Sequence, residues 1–154
     1  MSEPIAERLR QRGLELPPPP RPVGSYVPVR REGSLAFVSG QVVTRAGAAE
    51  HPGLVDRDVD VPTAQGLARQ ATLQALSALA EALGGVDRVE GVLRVGVYVA
   101  SSPGFTRQHE VANGATDLLV DLLGERGRPA RAAFGVAGLP LNAPVEVELL
   151  AQVR

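Results

Sequence analysis

Two stretches of period-two alternation constrain this chain more than anything else in it. In Val92–Ala100, Leu93, Val95, Val97 and Val99 fall on one side, and Arg94, Gly96 and Tyr98 on the other. In Val145–Val153, Val145, Val147, Leu149 and Ala151 alternate with Glu146, Glu148, Leu150 and Gln152. Successive strand side chains point to opposite faces, so each segment reads as a strand with one face on a core. Between and around them lie helical patterns. Pro62 opens a run whose Leu67, Ala68, Ala71, Ala75 and Leu79 recur at helical spacing, and Gly84-Gly85 closes it. Proline in the first turn and glycine beyond the last are the expected helix punctuation. A second helix is predicted over 106–123, stopped by Gly124 and Gly127.

Three shorter strands complete the reading: Tyr26–Arg30, Leu35–Ser39 and Arg131–Val136, the first two joined by a turn at Arg31–Ser34. Val42–Thr44 extends the sheet, and 45–61 is a polar loop. The order β-β-α-β-α-β-β predicts an α+β sheet with both helices on one face. Residues 1–22, a short helix (Ile5–Gly13) and a proline-rich arm (Pro17–Pro20, Arg21, Pro22), form an appendage to a domain at 23–154. At 154 residues, one domain with a substantial core is expected.

In the strand at 131–136, Ala132, Phe134 and Val136 are assigned to the core, which turns Arg131, Ala133 and Gly135 away from the helices. The away face then carries Arg94, Tyr98, Arg131, Glu146 and Leu150. It is too apolar for open water and too charged for a core, which suits a subunit interface holding a polar site. Fifteen residues and a turn separate Arg131 from Glu146, a spacing that allows adjacent antiparallel strands. Arg131 offers a planar fork for a carboxylate, and Glu146 an acceptor for a proton from water. The alternative is that the two simply pair with each other.

Composition removes many chemistries. Without cysteine there is no thiol nucleophile, disulfide or thiolate metal site. All 16 basic residues are arginine, so lysine Schiff bases are excluded. A net charge of −1 supplies no field for nucleic acid. His109-Glu110-Val111-Ala112-Asn113 misses a helical zinc motif because asparagine stands where the second histidine belongs. Asp56–Asp60 lacks the glycine and closing glutamate of a calcium loop, and Ser39 lacks the setting of a nucleophile elbow. Met1–Gly13 is charged throughout and no apolar run could span a bilayer, which predicts a cytoplasmic protein.

Several short motifs resemble the RidA/YjgF family. They are Gly24-Ser25-Tyr26-Val27, Val38-Ser39-Gly40-Gln41, Pro129-Ala130-Arg131, Leu139-Pro140 and Val145-Glu146-Val147-Glu148, in that order and at near the family's spacing. The N-terminal extension and the run Val111-Ala112-Asn113-Gly114-Ala115 resemble a divergent subgroup. The resemblance implies a chorismate-mutase-like fold and a homotrimer with ligand clefts between subunits. It also implies cofactor-independent, metal-free hydrolytic deamination of reactive enamines and imines such as 2-aminoacrylate. In that picture Arg131 holds the substrate carboxylate and Glu146 positions water. Tyr26, Ser39, Gly40, Asn113 and Ala133 line the cleft. Ala133 stands where the family often has cysteine or serine. A trimeric binder or sensor of small carboxylates is the alternative, and a ribonuclease is disfavoured by the charge balance. Neither nucleic acid nor membrane is an expected partner.

Overall fold

The computed structural model describes residues 3–154. Its elements are α1 (Ile5–Gln11), β1 (Val29–Glu32), β2 (Leu35–Gln41), β3 (Thr44–Arg45), β4 (Ala48–Ala49), α2 (Val61–Leu83), β5 (Val89–Ala100), α3 (Gln108–Leu123), β6 (Ala130–Val136) and β7 (Val145–Val153). Five strands form one sheet in the order β1-β2-β7-β5-β6, and β3 and β4 form a separate hairpin. The helices α2 and α3 pack on each other and on one face of the sheet. This is a mixed α+β fold.

The helix boundaries have local causes. Asp60 caps α2, its carboxylate accepting the Thr63 N–H at 2.8 Å, and Pro62 occupies the first turn. At the far end Gly84 takes the left-handed conformation (φ 76°) that glycine adopts without steric penalty. The acidic stretch at 56–60 has structural roles: Asp60 starts a helix, and Asp58 accepts the Leu54 N–H and pairs with Arg57.

Helix α3 meets α2 through Gly114. A Cβ there would stand 2.8 Å from the Gln65 carbonyl carbon and 3.1 Å from its Cα, and backbone cannot move aside as a flexible side chain can. The same contact is fastened by the Gln65 amide, which donates to the Glu110 carbonyl at 2.7 Å. Gly114→Ala is therefore expected to destabilise the domain by about 2–3 kcal/mol, a fall in Tm of roughly 5–10 °C. A thermal melt by circular dichroism checks this.

The sheet corrects four expectations. First, β6 has the opposite phase. Its parallel register pairs Arg131 with Val95, Ala133 with Val97 and Phe134 with Tyr98. Arg131, Ala133 and Gly135 therefore share the helix side, and Ala132, Phe134 and Val136 lie away from it. Phe134 is 55% exposed and its ring lies 6.4 Å from that of Tyr98, while Ala133 packs on the core. Second, β6 and β7 are not neighbours, because β5 runs between them. Third, Leu93 is outside the core. The partner of Val92 is Ala151 and that of Arg94 is Leu150, so β5 carries one extra residue there. Such a bulge resets the alternation, leaving Val92 buried and Leu93 42% exposed. Fourth, the N-terminal segment is packed into the domain. Ile5 and Leu9 are 3% and 5% exposed and belong to the core cluster, Leu14 and Leu16 pack against it, and Ser77 donates to the Pro17 carbonyl.

Smaller differences follow from local pairing. β1 begins at Val29, so Tyr26 sits in the turn before it. Thr44 does not extend the main sheet but starts the separate β3–β4 hairpin, which runs into the loop at 45–61, and Val55 in that loop bridges to Ser101. No helix among the described residues is long and apolar enough to cross a membrane.

Candidate active site

The predicted residues separate into two groups on opposite sides of the sheet. The first is built where β2 meets β7. Val38 pairs with Leu149 and Gln41 with Val147, so Ser39 and Gly40 together face a single residue of β7. This bulge lets the Glu146 carboxyl lie over the β2 backbone, and only glycine permits it. A Cβ on Gly40 would come within 2.9 Å of the Glu146 carboxyl carbon. Ser39 donates through Oγ to the Val27 carbonyl at 2.7 Å, and its own N–H bonds the Pro28 carbonyl. It is a tether for the segment after Tyr26, as a strand-end serine should be, and not a nucleophile. Tyr26 is 49% exposed, its N–H bonded to the Gly24 carbonyl.

Glu146 is partly buried. Burial first, and then the neighbouring Glu148 carboxylate, hold its carboxyl above the ordinary glutamate range. Both effects disfavour the charged form. Tyr98 on β5 faces Glu146 in the register and sends its hydroxyl diagonally to Glu148 Oε1 at 2.6 Å. That hydrogen bond, with burial second, holds the phenol above its ordinary value.

The second group lies on the edge strand β6. Arg131 donates through Nη1 to Asn113 Oδ1 at 2.8 Å and to Thr116 Oγ1 at 3.1 Å, both on α3. Asn113 and Thr116 are three residues apart and so share a helix face. Among the described residues the other guanidinium N–H groups of Arg131 make no bond, and the side chain is exposed. The result is a fork anchored at one nitrogen and open at the rest. Asn113 orients the arginine; Ala133, two residues on, contributes only a methyl and its backbone.

Arg131 and Glu146 therefore form no ion pair. They lie on opposite faces with β5 between them. Thr116 and Tyr98 were not singled out as functional by sequence reasoning. The i,i+3 spacing from Asn113 was a signal for Thr116, and Tyr98's place opposite Glu146 needed the strand register. Among the described residues no group of three His, Asp or Glu side chains could hold a metal. His109 is exposed beside Glu110, which pairs with Arg107.

Comparison with known proteins gives the family. The family model for endoribonuclease L-PSP matches residues 18–153. The chain belongs to this family, also called RidA/YjgF. Protein TCP17 of Trypanosoma cruzi is 40% identical over 97% of this chain and 94% of its own length. A crystal structure from Agrobacterium tumefaciens, of a protein of unknown function, superposes with a TM-score of 0.88. It is 40% identical and covers 97% of this chain and 92% of that one. Escherichia coli TdcF, solved with bound serine, is 27% identical with a TM-score of 0.59, covering 88% and 93% of the two chains. The 97% of this chain covered by the Trypanosoma cruzi and Agrobacterium tumefaciens proteins is too much to leave out its N-terminal segment.

Proposed function

We propose that this RidA-family chain is a cytoplasmic, cofactor-independent hydrolase of carboxylate-bearing imines and enamines. It would work as a chorismate-mutase-like homotrimer with its sites between subunits. One observation carries the reading: an open arginine fork and a glutamate of raised proton affinity each sit in a built half-site, and one chain cannot bring them together. A neighbouring copy whose β6 edge approaches the β2–β7 face would supply the missing half. Exposed Phe37 and Phe134, 48% and 55% accessible, give that face apolar area to bury.

In such a cleft Arg131 takes the substrate carboxylate on its open N–H groups while Asn113 and Thr116 hold its orientation. Two parallel hydrogen bonds to a planar fork fix both distance and angle. An enamine first tautomerises to its imine, which reacts in the protonated form: Glu146 accepts a proton from water as the water oxygen bonds to the imine carbon and the C=N π pair moves to nitrogen, giving a neutral carbinolamine. Glu146 returns that proton to the amine, an oxygen pair forms C=O as the C–N bond breaks, the hydroxyl proton passes to ammonia or solvent, and a ketoacid and ammonium leave. Tyr26 closes over the cleft. The backbone of Gly40 leaves room for Glu146, and Ala133 leaves an apolar wall.

The test generates the imine in place with a serine or threonine dehydratase and follows ketoacid release by a coupled dehydrogenase. Acceleration by the wild-type chain is expected; a rate equal to the uncatalysed one would overturn the reading. A second reading is a binder of small carboxylates that does not turn them over, favoured by the serine bound to TdcF. Serine binding by calorimetry without imine turnover would select it. The family description names an endoribonuclease, but a net charge of −1 supplies no net field to gather a phosphate backbone.

A further inference from the structure

Behind Glu146 stands a polar arrangement that imine hydrolysis as described does not use. Glu148 follows Glu146 by two residues on the same face of β7. Its Oε1 accepts the Tyr98 hydroxyl at 2.6 Å, and glycine at position 96 of β5 leaves the space in which they meet. A Cβ on Gly96 would lie 2.9 Å from the Tyr98 oxygen and 3.1 Å from Glu148 Oε1. Glycine inside a long strand weakens it, so this one makes space for the phenol and the carboxylate to meet. Two glycines thus frame the pair of acids: Gly40 under Glu146 and Gly96 beside Glu148.

We propose that Tyr98 and Glu148 are positioning residues for Glu146: the phenol pins the Glu148 carboxylate, and that pinned carboxylate fixes the charge that Glu146 faces. This rests on the hydrolytic reading of Glu146. The groups that face Glu146 among the described residues are few. From its own strand there is Glu148; from β5 there is Tyr98, with Arg94 nearby; from β2 come Ser39 and Gly40, neither of which titrates. A free glutamate beside Glu146 would sample several rotamers and swing its charge into solvent. Tied to the phenol, it stays where it raises the proton affinity of its neighbour. A base held in this way is better matched to water near neutral pH.

The experiment compares wild type, Glu148→Gln and Tyr98→Phe by two readouts. In the dehydratase-coupled assay Glu148→Gln is expected to move the acid limb of the kcat profile to lower pH. Removing a like charge lets Glu146 ionise earlier. Tyr98→Phe, which keeps the charge but frees it, is expected to move the limb in the same direction by less. Its kcat should fall by up to about tenfold, against roughly 100-fold or more when a catalytic base is removed. KM should hardly change, because Arg131 is untouched. A merely structural role would scale the whole profile without displacing it. The second readout is a carboxyl 13C NMR titration of Glu146, which needs no turnover. A lower midpoint in Glu148→Gln supports the pairing; an unchanged midpoint, with both variants folded, overturns it. If wild type shows no turnover while the midpoint moves, the hydrolytic reading fails and takes the catalytic role with it. If wild type turns over and both readouts stay put, only the positioning pair is lost.

Discussion

Arg131→Ala is expected to lower kcat/KM for a carboxylate-bearing imine by about 100-fold or more, some 2.7 kcal/mol of transition-state stabilisation. Its fold should be retained. Arg131 lies exposed on an edge strand, and its removal uncovers only the Asn113 and Thr116 oxygens, which water can reach. The loss should extend to Arg131→Lys, because a lysine keeps the charge without the fork that Asn113 and Thr116 orient. An amide analogue of the substrate should be a poor substrate for wild type and should be affected little by the substitution. The coupled assay with both variants measures this directly. If Arg131→Ala releases ketoacid as fast as wild type, the arginine does not hold the substrate.

Glu146→Gln is expected to cut kcat by about 100-fold or more with little change in KM. Glutamine fills the same space over Gly40 but cannot take a proton from water. The pH behaviour has a definite sign. Burial and Glu148 raise the folded-state proton affinity of Glu146, so its ionisation opposes folding. That penalty is absent below the ordinary carboxyl range, where the group is protonated folded or unfolded. It grows as pH rises and is full above the folded-state value. Glu146→Gln removes it, so the variant should be at least as stable as wild type at neutral pH, and the difference should fade in acid. Melting curves at pH 4 and pH 7 report this. Wild-type turnover should lose its base through a window above the usual glutamate range. An enzyme that loses turnover while gaining stability has given up a functional strain, not a structural support.

How far the sequence revealed all this depended on how much hydrophobic contrast each strand carries. β7 alternates large aliphatic residues with charged ones, and its boundaries and phase match the reading throughout. The helix α2 lies within one residue of its proline and glycine punctuation. In β6 the contrast is missing. Ala130–Val136 is mostly small, so its single large apolar side chain, Phe134, decided the phase, and it lies on the side away from the helices. Here the rule that the biggest apolar residue points inward fails, as Phe134 is 55% exposed. The bulges at Leu93 and at Ser39-Gly40 were illegible for a different reason. A one-residue register shift depends on two strands at once, and no single segment shows it. Arg131 and Glu146 were singled out first from their residue types and an assumed shared face, and then again from the family motifs, which carry residue identity and not phase. What they could not show is that the two residues face apart within one chain.

That separation is the central claim, and mixing two inactive variants tests it. Chains carrying Arg131→Ala keep the glutamate half of the site; chains carrying Glu146→Gln keep the arginine half. If each cleft takes one half from each of two subunits, co-refolding the two variants in equal amounts restores intact clefts. Random assembly should recover about one quarter of the wild-type rate. Activity that stays at the sum of the two variants, in mixed oligomers confirmed by mass spectrometry, would contradict a site shared between chains.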